Sequence, residues 1–215
     1  MTERDDADVA DDDAPVELFV SGRVCLLGEH SDWAGGFRSA NENIAQGKCL
    51  VVGTLEGLHS RVTRVREESS GSGVTLRMTP VDHHGGGGGD ETRTCELPLD
   101  DPAALLVEAQ GGGFWSHVAG TCHHLTTTSP HGATIAGAGH GLAIDNYRTT
   151  LPVKKGLSSS AAVCVLVARA FSHAYGLACT TREAGLALFH VIFAAKTHSF
   201  IDTRYRPCNQ SDTRE

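Results

Sequence analysis

The chain has 215 residues, 40% hydrophobic and 20% charged, enough to bury one core or two small ones. Its formal charge is −8, of which −6 falls within Met1–Asp13, so the remainder is close to neutral and poorly suited to nucleic-acid binding by phosphate neutralisation. No apolar run approaches about 20 residues, and the acidic N-terminus has no apolar stretch of the kind a secretory leader carries, so neither a membrane span nor a leader is expected. Seven scattered cysteines without a C-x-x-C pair fit reduced thiols packed as small hydrophobes, and the simplest compartment for them is cytoplasmic.

Taken in order, residues 1–14 read as a disordered acidic tail. Val16, Leu18 and Val20 alternate with Glu17 and Phe19, and the run resumes at Arg23–Leu27, which predicts a strand kinked at Gly22. Gly28–Gly36 is a polar, glycine-punctuated loop. Lys48–Leu55, His59–Arg66 and Val74–Met78 predict a meander of separate strands. Val81–Asp90, with its run of five glycines, reads as a linker, and Thr92–Leu97 as an edge strand.

Asp101-Pro102 predicts a helix start, which Gly111–Gly113 interrupts. Phe114, Val118, Cys122 and Leu125 recur at helical spacing and predict a second helix with Trp115 on its flank. Thr126–Gly139 reads as a turn-rich connection and Gly141–Thr150 as a strand. Val163, Leu166, Val167, Ala170, Phe171 and Ala174 mark a helix face that Gly176 would stop. Thr180-x-x-Glu183 is a capping-box pattern for a further helix to about Lys196, after which periodicity ends. Strands, then helices, then strand and helix again predict an α+β or mixed α/β sandwich.

Between that last strand and its helix lies Leu151-Pro152-Val153-Lys154-Lys155-Gly156-Leu157-Ser158-Ser159-Ser160-Ala161-Ala162. Pro152 and Gly156 shape a turn, and the serines sit where a helix has unpaired N–H groups and the positive end of its dipole. That suits an anion, phosphate above all, although a plain serine-capped helix start would look the same. A second cluster, Glu29, His30 and Asp32, ends the first strand, where carboxylates can accept hydrogen bonds from alcohol hydroxyls; a solvated loop is the bland reading. Arg23 stands in an otherwise apolar strand, where a charge is usually paired.

Together, GRVCLLGEHSDWAGG and LPVKKGLSSSAA resemble the first and second motifs of the GHMP kinases, the group of galactokinase, homoserine kinase, mevalonate kinase and phosphomevalonate kinase. The first motif is closest to the galactokinase type. The resemblance implies an α+β domain like domain 2 of ribosomal protein S5 over residues 15–196, and a kinase using ATP and Mg²⁺ on a hydroxyl of a small molecule. It implies that Lys155, Gly156, Leu157, Ser158, Ser159, Ser160 and Ala161 wrap the ATP phosphates, with Ser160 on the metal. It places Glu29, His30 and Asp32 on substrate hydroxyls and Arg23 near the transferred phosphoryl group or the catalytic carboxylate.

Three departures accompany the likeness. Lys154 replaces a small residue, Trp33 stands where galactokinases carry Tyr, and the segment after Gly36 differs from theirs, leaving a sugar and a mevalonate-like alcohol both open as substrate. The catalytic aspartate, third motif and C-terminal domain of the family are not assigned in the polar stretch 197–215, where Arg206–Asp212 has only a faint likeness to the aspartate loop and Asp202 has no support. The chain thus reads as the front of a kinase, and a catalytically silent nucleotide- or sugar-binding protein of the same fold is the alternative. An RNA-binding module and metal binding by Asp82-His83-His84 or Cys122-His123-His124 are weaker readings, because charge and ligand spacing oppose them.

Overall fold

The computed structural model describes residues 14–28, 43, 48–66, 75–80, 94–151, 157 and 159–178. Five strands form one sheet: β1 (Val16–Leu27), β2 (Leu50–Val65), β3 (Thr75–Pro80), β4 (Cys95–Pro98) and β5 (Gly141–Thr149). Their order is β1-β2-β5-β3-β4; β3 and β5 run parallel and the other neighbours antiparallel. The helices are α1 (Pro102–Gln110), α2 (Ser116–His123), α3 (Gly132–Gly137) and α4 (Ser159–Ala174), with a π turn at His124–Thr128. This is the expected α+β architecture.

Alternation along the strands sorts the side chains between two faces. Val20, Leu58, Val62, Leu142 and Ile144 point into the core, while Glu17, Phe19, Arg61, Asp145 and Tyr147 stay exposed on the other side. Helix α4 packs across β1, β2 and β5, and α2 packs on α4. Covered on both sides, α4 is apolar well beyond one stripe: Ala162, Cys164, Leu166, Val167, Ala168, Ala170, Phe171 and Ala174 are all buried. Two polar residues inside this layer, Ser60 and Asn146, lie 3.2 Å apart and bond to each other.

Three local expectations hold for identifiable reasons. The pairing of β1 with β2 shifts register between Ser21 and Arg23, which is the kink expected at Gly22. Asp101 caps α1 by accepting from the Ala104 N–H at 3.0 Å, with proline following at the first helical position. Gly176 has φ +61°, and the Leu177 N–H bonds back to the Ser172 carbonyl at 2.9 Å, closing α4 as a left-handed glycine cap does.

Other expectations change. The runs predicted either side of Gly57 are one strand, β2. A Cβ at residue 57 would fall on the Phe19 ring and 2.5 Å from the Val20 carbonyl, so this glycine admits its neighbour instead of breaking the strand. Phe114 precedes α2 and is 57% exposed, whereas Trp115 packs against the core. The connection after Thr126 holds the π turn and α3. There the Thr126 and Ser129 hydroxyls donate to the Cys122 and Leu125 carbonyls at 2.9 and 2.8 Å, local bonds that compete with regular helix. The predicted linker 81–90 and the helix proposed from Thr180 lie outside the described residues.

Candidate functional site

Strand β5 delivers the chain to the serine-rich turn and α4 carries it away. The end of β5 is fastened to β2. The Thr150 N–H donates to the Gly57 carbonyl at 3.0 Å, and the Gly57 N–H donates to the Thr150 hydroxyl at 2.8 Å. Leu151, next in the chain, is fully buried. Leu157 is half-buried against the same core, so both flanks of the turn are held by packing.

The first strand reaches this turn directly. The Arg23 N–H donates to the Leu157 carbonyl at 3.3 Å. At Gly22 a Cβ would sit on the Leu151 Cδ2, 2.8 Å from the Thr54 hydroxyl and 3.2 Å from the Leu157 carbonyl. Only a residue without a side chain lets β1 approach so closely. Gly22 and Arg23 of the first stretch singled out in the sequence therefore meet Leu151 and Leu157 of the second.

Ser159 and Ser160 occupy the first turn of α4, Ser159 half-buried and Ser160 exposed, followed by a half-buried Ala161. A helix of 16 residues presents its unpaired N–H groups and positive dipole end at this position. Arg23 is exposed on β1 and makes the contact with Leu157 through its own backbone N–H. Of the residues assigned to phosphate, Lys155, Gly156 and Ser158 lie outside the described residues, as do Glu29, His30 and Asp32 of the substrate cluster. Leu26, Leu27, Leu50 and Val51 are exposed at the adjoining end of β1 and β2.

The remaining candidates separate from this site. Burial lowers the pKa of His117 and His123, keeping both rings in the neutral form over a wider range. His173 is exposed near the end of α4, and His190 lies outside the described residues. Among the described residues no group of three His, Cys, Asp or Glu side chains could hold a metal ion. None of the helices described is long and apolar enough to cross a membrane. Sequence reasoning named Thr150 and Leu151 but missed Gly57, whose bonds to Thr150 fasten the end of β5 to β2.

Residues 117–202 match the family model described as the GHMP kinases N terminal domain. Among solved structures, the mevalonate kinase of Methanococcus jannaschii superposes with a TM-score of 0.52 at 15% identity, covering 85% of this chain and 47% of that one. A second mevalonate kinase structure gives 0.50 at 15% identity, covering 83% and 46%. The chain thus spans about half the length of these structures, and the likeness shows the fold. No curated protein matches in sequence.

Proposed function

We propose, from the premise that this chain carries a GHMP kinase N-terminal domain, that it binds ATP at the entry to α4 and presents the terminal phosphate to a hydroxyl of a small molecule. The observation that carries this reading is the seating of β1 against the serine-rich turn, where the Arg23 N–H meets the Leu157 carbonyl. That contact joins the start of the first motif to the second, which supports reading the two as parts of one site. The domain is taken as residues 15–196.

The chain's own contribution is positioning and charge, which dominate phosphoryl transfer. Backbone N–H groups at the start of α4 and the ammonium of Lys155 would hold phosphate oxygens. Glu29, His30 and Asp32 would orient the acceptor alcohol, and the exposed Arg23 would offset charge on the phosphoryl group. Ser160 suits a magnesium ligand, because it is exposed on the first turn of α4. Mg²⁺ bound there would neutralise phosphate charge.

The acceptor class is a sugar on the strength of the galactokinase-like first motif; the mevalonate kinase neighbours make a mevalonate-like alcohol the competing choice. The test is thermal unfolding of the 215-residue chain with and without ATP and Mg²⁺, followed by turnover with sugars and with mevalonate. A nucleotide-dependent rise in melting temperature is expected. A folded protein whose melting point ignores ATP overturns the reading, and binding without turnover supports the silent alternative.

A further inference from the structure

The face of the sheet turned away from the core carries side chains that the kinase reading does not use. Residues paired across two strands share a face. Phe19 of β1 pairs with His59 of β2, and His59 with Arg148 of β5; Glu17 pairs with Arg61, and Arg61 with Asp145. All are exposed except His59, which is half-buried. A register shift between His59 and Arg61 lets β5 present Tyr147 and Arg148 as successive exposed residues while Asn146 stays buried.

Three rings form a row across these strands. The centroids of Phe19 and His59 are 4.8 Å apart, and those of His59 and Tyr147 6.4 Å. Their planes are tilted by 42° and 46°, so the row lacks the flat surface on which a base stacks. Aromatic and arginine side chains on strands that hold no lysine have the composition of a protein interface.

The charges point to which protein. Glu17 is occupied within the chain, by Arg61 at 2.9 Å and the Tyr147 hydroxyl at 2.6 Å. Asp145 and Arg148 form no ion pair or side-chain hydrogen bond among the described residues. These two opposite charges stand on one strand, about 10 Å apart at the usual rise. A two-fold axis crossing β5 between them sets each against its opposite in a second copy, the reciprocal contact of an isologous interface. An axis along β5 would set like charges together. With two acids and two arginines the face is neutral, so it complements itself and not a strongly charged partner.

Its size is sufficient. Five strands span about 24 Å, and the nine residues of β5 run about 30 Å. The resulting area, about 700 Å², is close to the ~800 Å² that each partner gives to a standard interface. We propose that this face binds a second copy of the chain in a two-fold dimer, with Asp145 of each copy paired to Arg148 of the other.

The test is sedimentation velocity of the full chain between about 1 and about 100 µM, the range in which modest affinities show. A species of twice the chain mass should grow with concentration. Asp145→Arg and Arg148→Asp, each folded by circular dichroism, should weaken association at least about a hundredfold, because both reciprocal contacts become like-charge contacts. Mixed in equal amounts, the two variants should dimerise again, since every acid then faces an arginine. A wild type that stays monomeric overturns the proposal and leaves the face to another partner. A dimer that either reversal leaves intact overturns it too, as do folded variants that stay monomeric when mixed. Oxidative footprinting of wild type reads the same face without variants: Phe19 and Tyr147 should become protected as the dimer forms, and labelling that ignores concentration overturns the proposal.

Discussion

The backbone N–H of Arg23 bonds to the carbonyl of Leu157 at 3.3 Å, across a gap of more than a hundred positions in sequence. The bond ties β1 to Leu157, just ahead of α4. Whatever displaces β1 at Arg23 also disturbs Leu157, two residues ahead of α4.

Gly22 tests that coupling. In Gly22→Ala the new methyl group meets Leu151 Cδ2 and the Thr54 hydroxyl, which overpacks the junction by about 1–3 kcal/mol. The midpoint of urea unfolding should fall accordingly. Adding Leu151→Ala to make room should recover less than the full loss, because truncating a buried leucine has its own cost. A Gly22→Ala protein of wild-type stability would show that β1 does not seat against the turn.

Much of the fold was legible because local patterns and tertiary roles agree. Alternation along Val16–Val20 marks β1, Asp101-Pro102 marks the start of α1, and the apolar face from Val163 to Ala174 marks α4. Gly57 misled because a glycine in an apolar run signals a break, whereas here it makes room for the Phe19 ring, a contact that sequence spacing does not encode. Phe114 had the right periodicity for α2 but stands ahead of it, since the helix begins only after Trp115. At the site, the residue types of both motifs could be read, but not their meeting. A bond from Arg23 to Leu157 joins backbone atoms and leaves no side-chain signature.

Asp101 should be the most informative surface position in the helical layer. Replacing it with alanine removes the acceptor for the Ala104 N–H and is expected to cost about 1 kcal/mol, with little change elsewhere because the side chain is exposed. Asp101→Asn, which keeps an acceptor oxygen, should restore most of the loss. Denaturant melts of the three proteins decide this.

The cysteines should separate by reactivity. Cys122 and Cys164 are buried, and burial is the leading cause pushing both thiols up, for Cys122 well above the usual range. Thiolate is the reactive form, so both are protected twice, by access and by protonation. Cys49 is exposed. Under native conditions iodoacetamide should modify Cys49 before Cys122 and Cys164, which should stay intact until denaturant is added, as peptide mass spectrometry would read. Rapid native labelling of Cys122 would contradict the packing of α2 on α4.

On the open face of the sheet, Glu17 joins Tyr147 and Arg61 at 2.6 and 2.9 Å. The Tyr147 hydroxyl first, and Arg61 second, hold the Glu17 carboxyl below its usual range, and the same bond raises the Tyr147 phenol. A lowered carboxylate contributes stability above its unfolded value and loses it as pH falls through the folded one. The group is exposed, so the contribution should be small. Glu17→Ala should leave the acid-unfolding midpoint nearly unchanged while moving the Tyr147 phenolate absorbance toward ordinary tyrosine. A phenol unmoved by the substitution would show that the bond is absent in solution.

Ser160 distinguishes a metal-assisted phosphate site from a merely well-capped helix. The residue is exposed on the first turn of α4, so Ser160→Ala should change the stability of the free protein by no more than about 0.5 kcal/mol. A helix start used only as a cap would then show nothing further. If the hydroxyl meets magnesium on a bound nucleotide, the variant should bind Mg²⁺-ATP roughly tenfold more weakly, which removes about 1.4 kcal/mol of ligand-induced stabilisation at saturating ATP. For a chain of this size that is a melting shift about 3–6 °C smaller than wild type. ATP in the presence of a chelator should shift both proteins equally, because the lost interaction runs through the metal. An equal response to Mg²⁺-ATP in both proteins would take Ser160 out of the metal site and leave the backbone N–H groups of α4 as the phosphate contact.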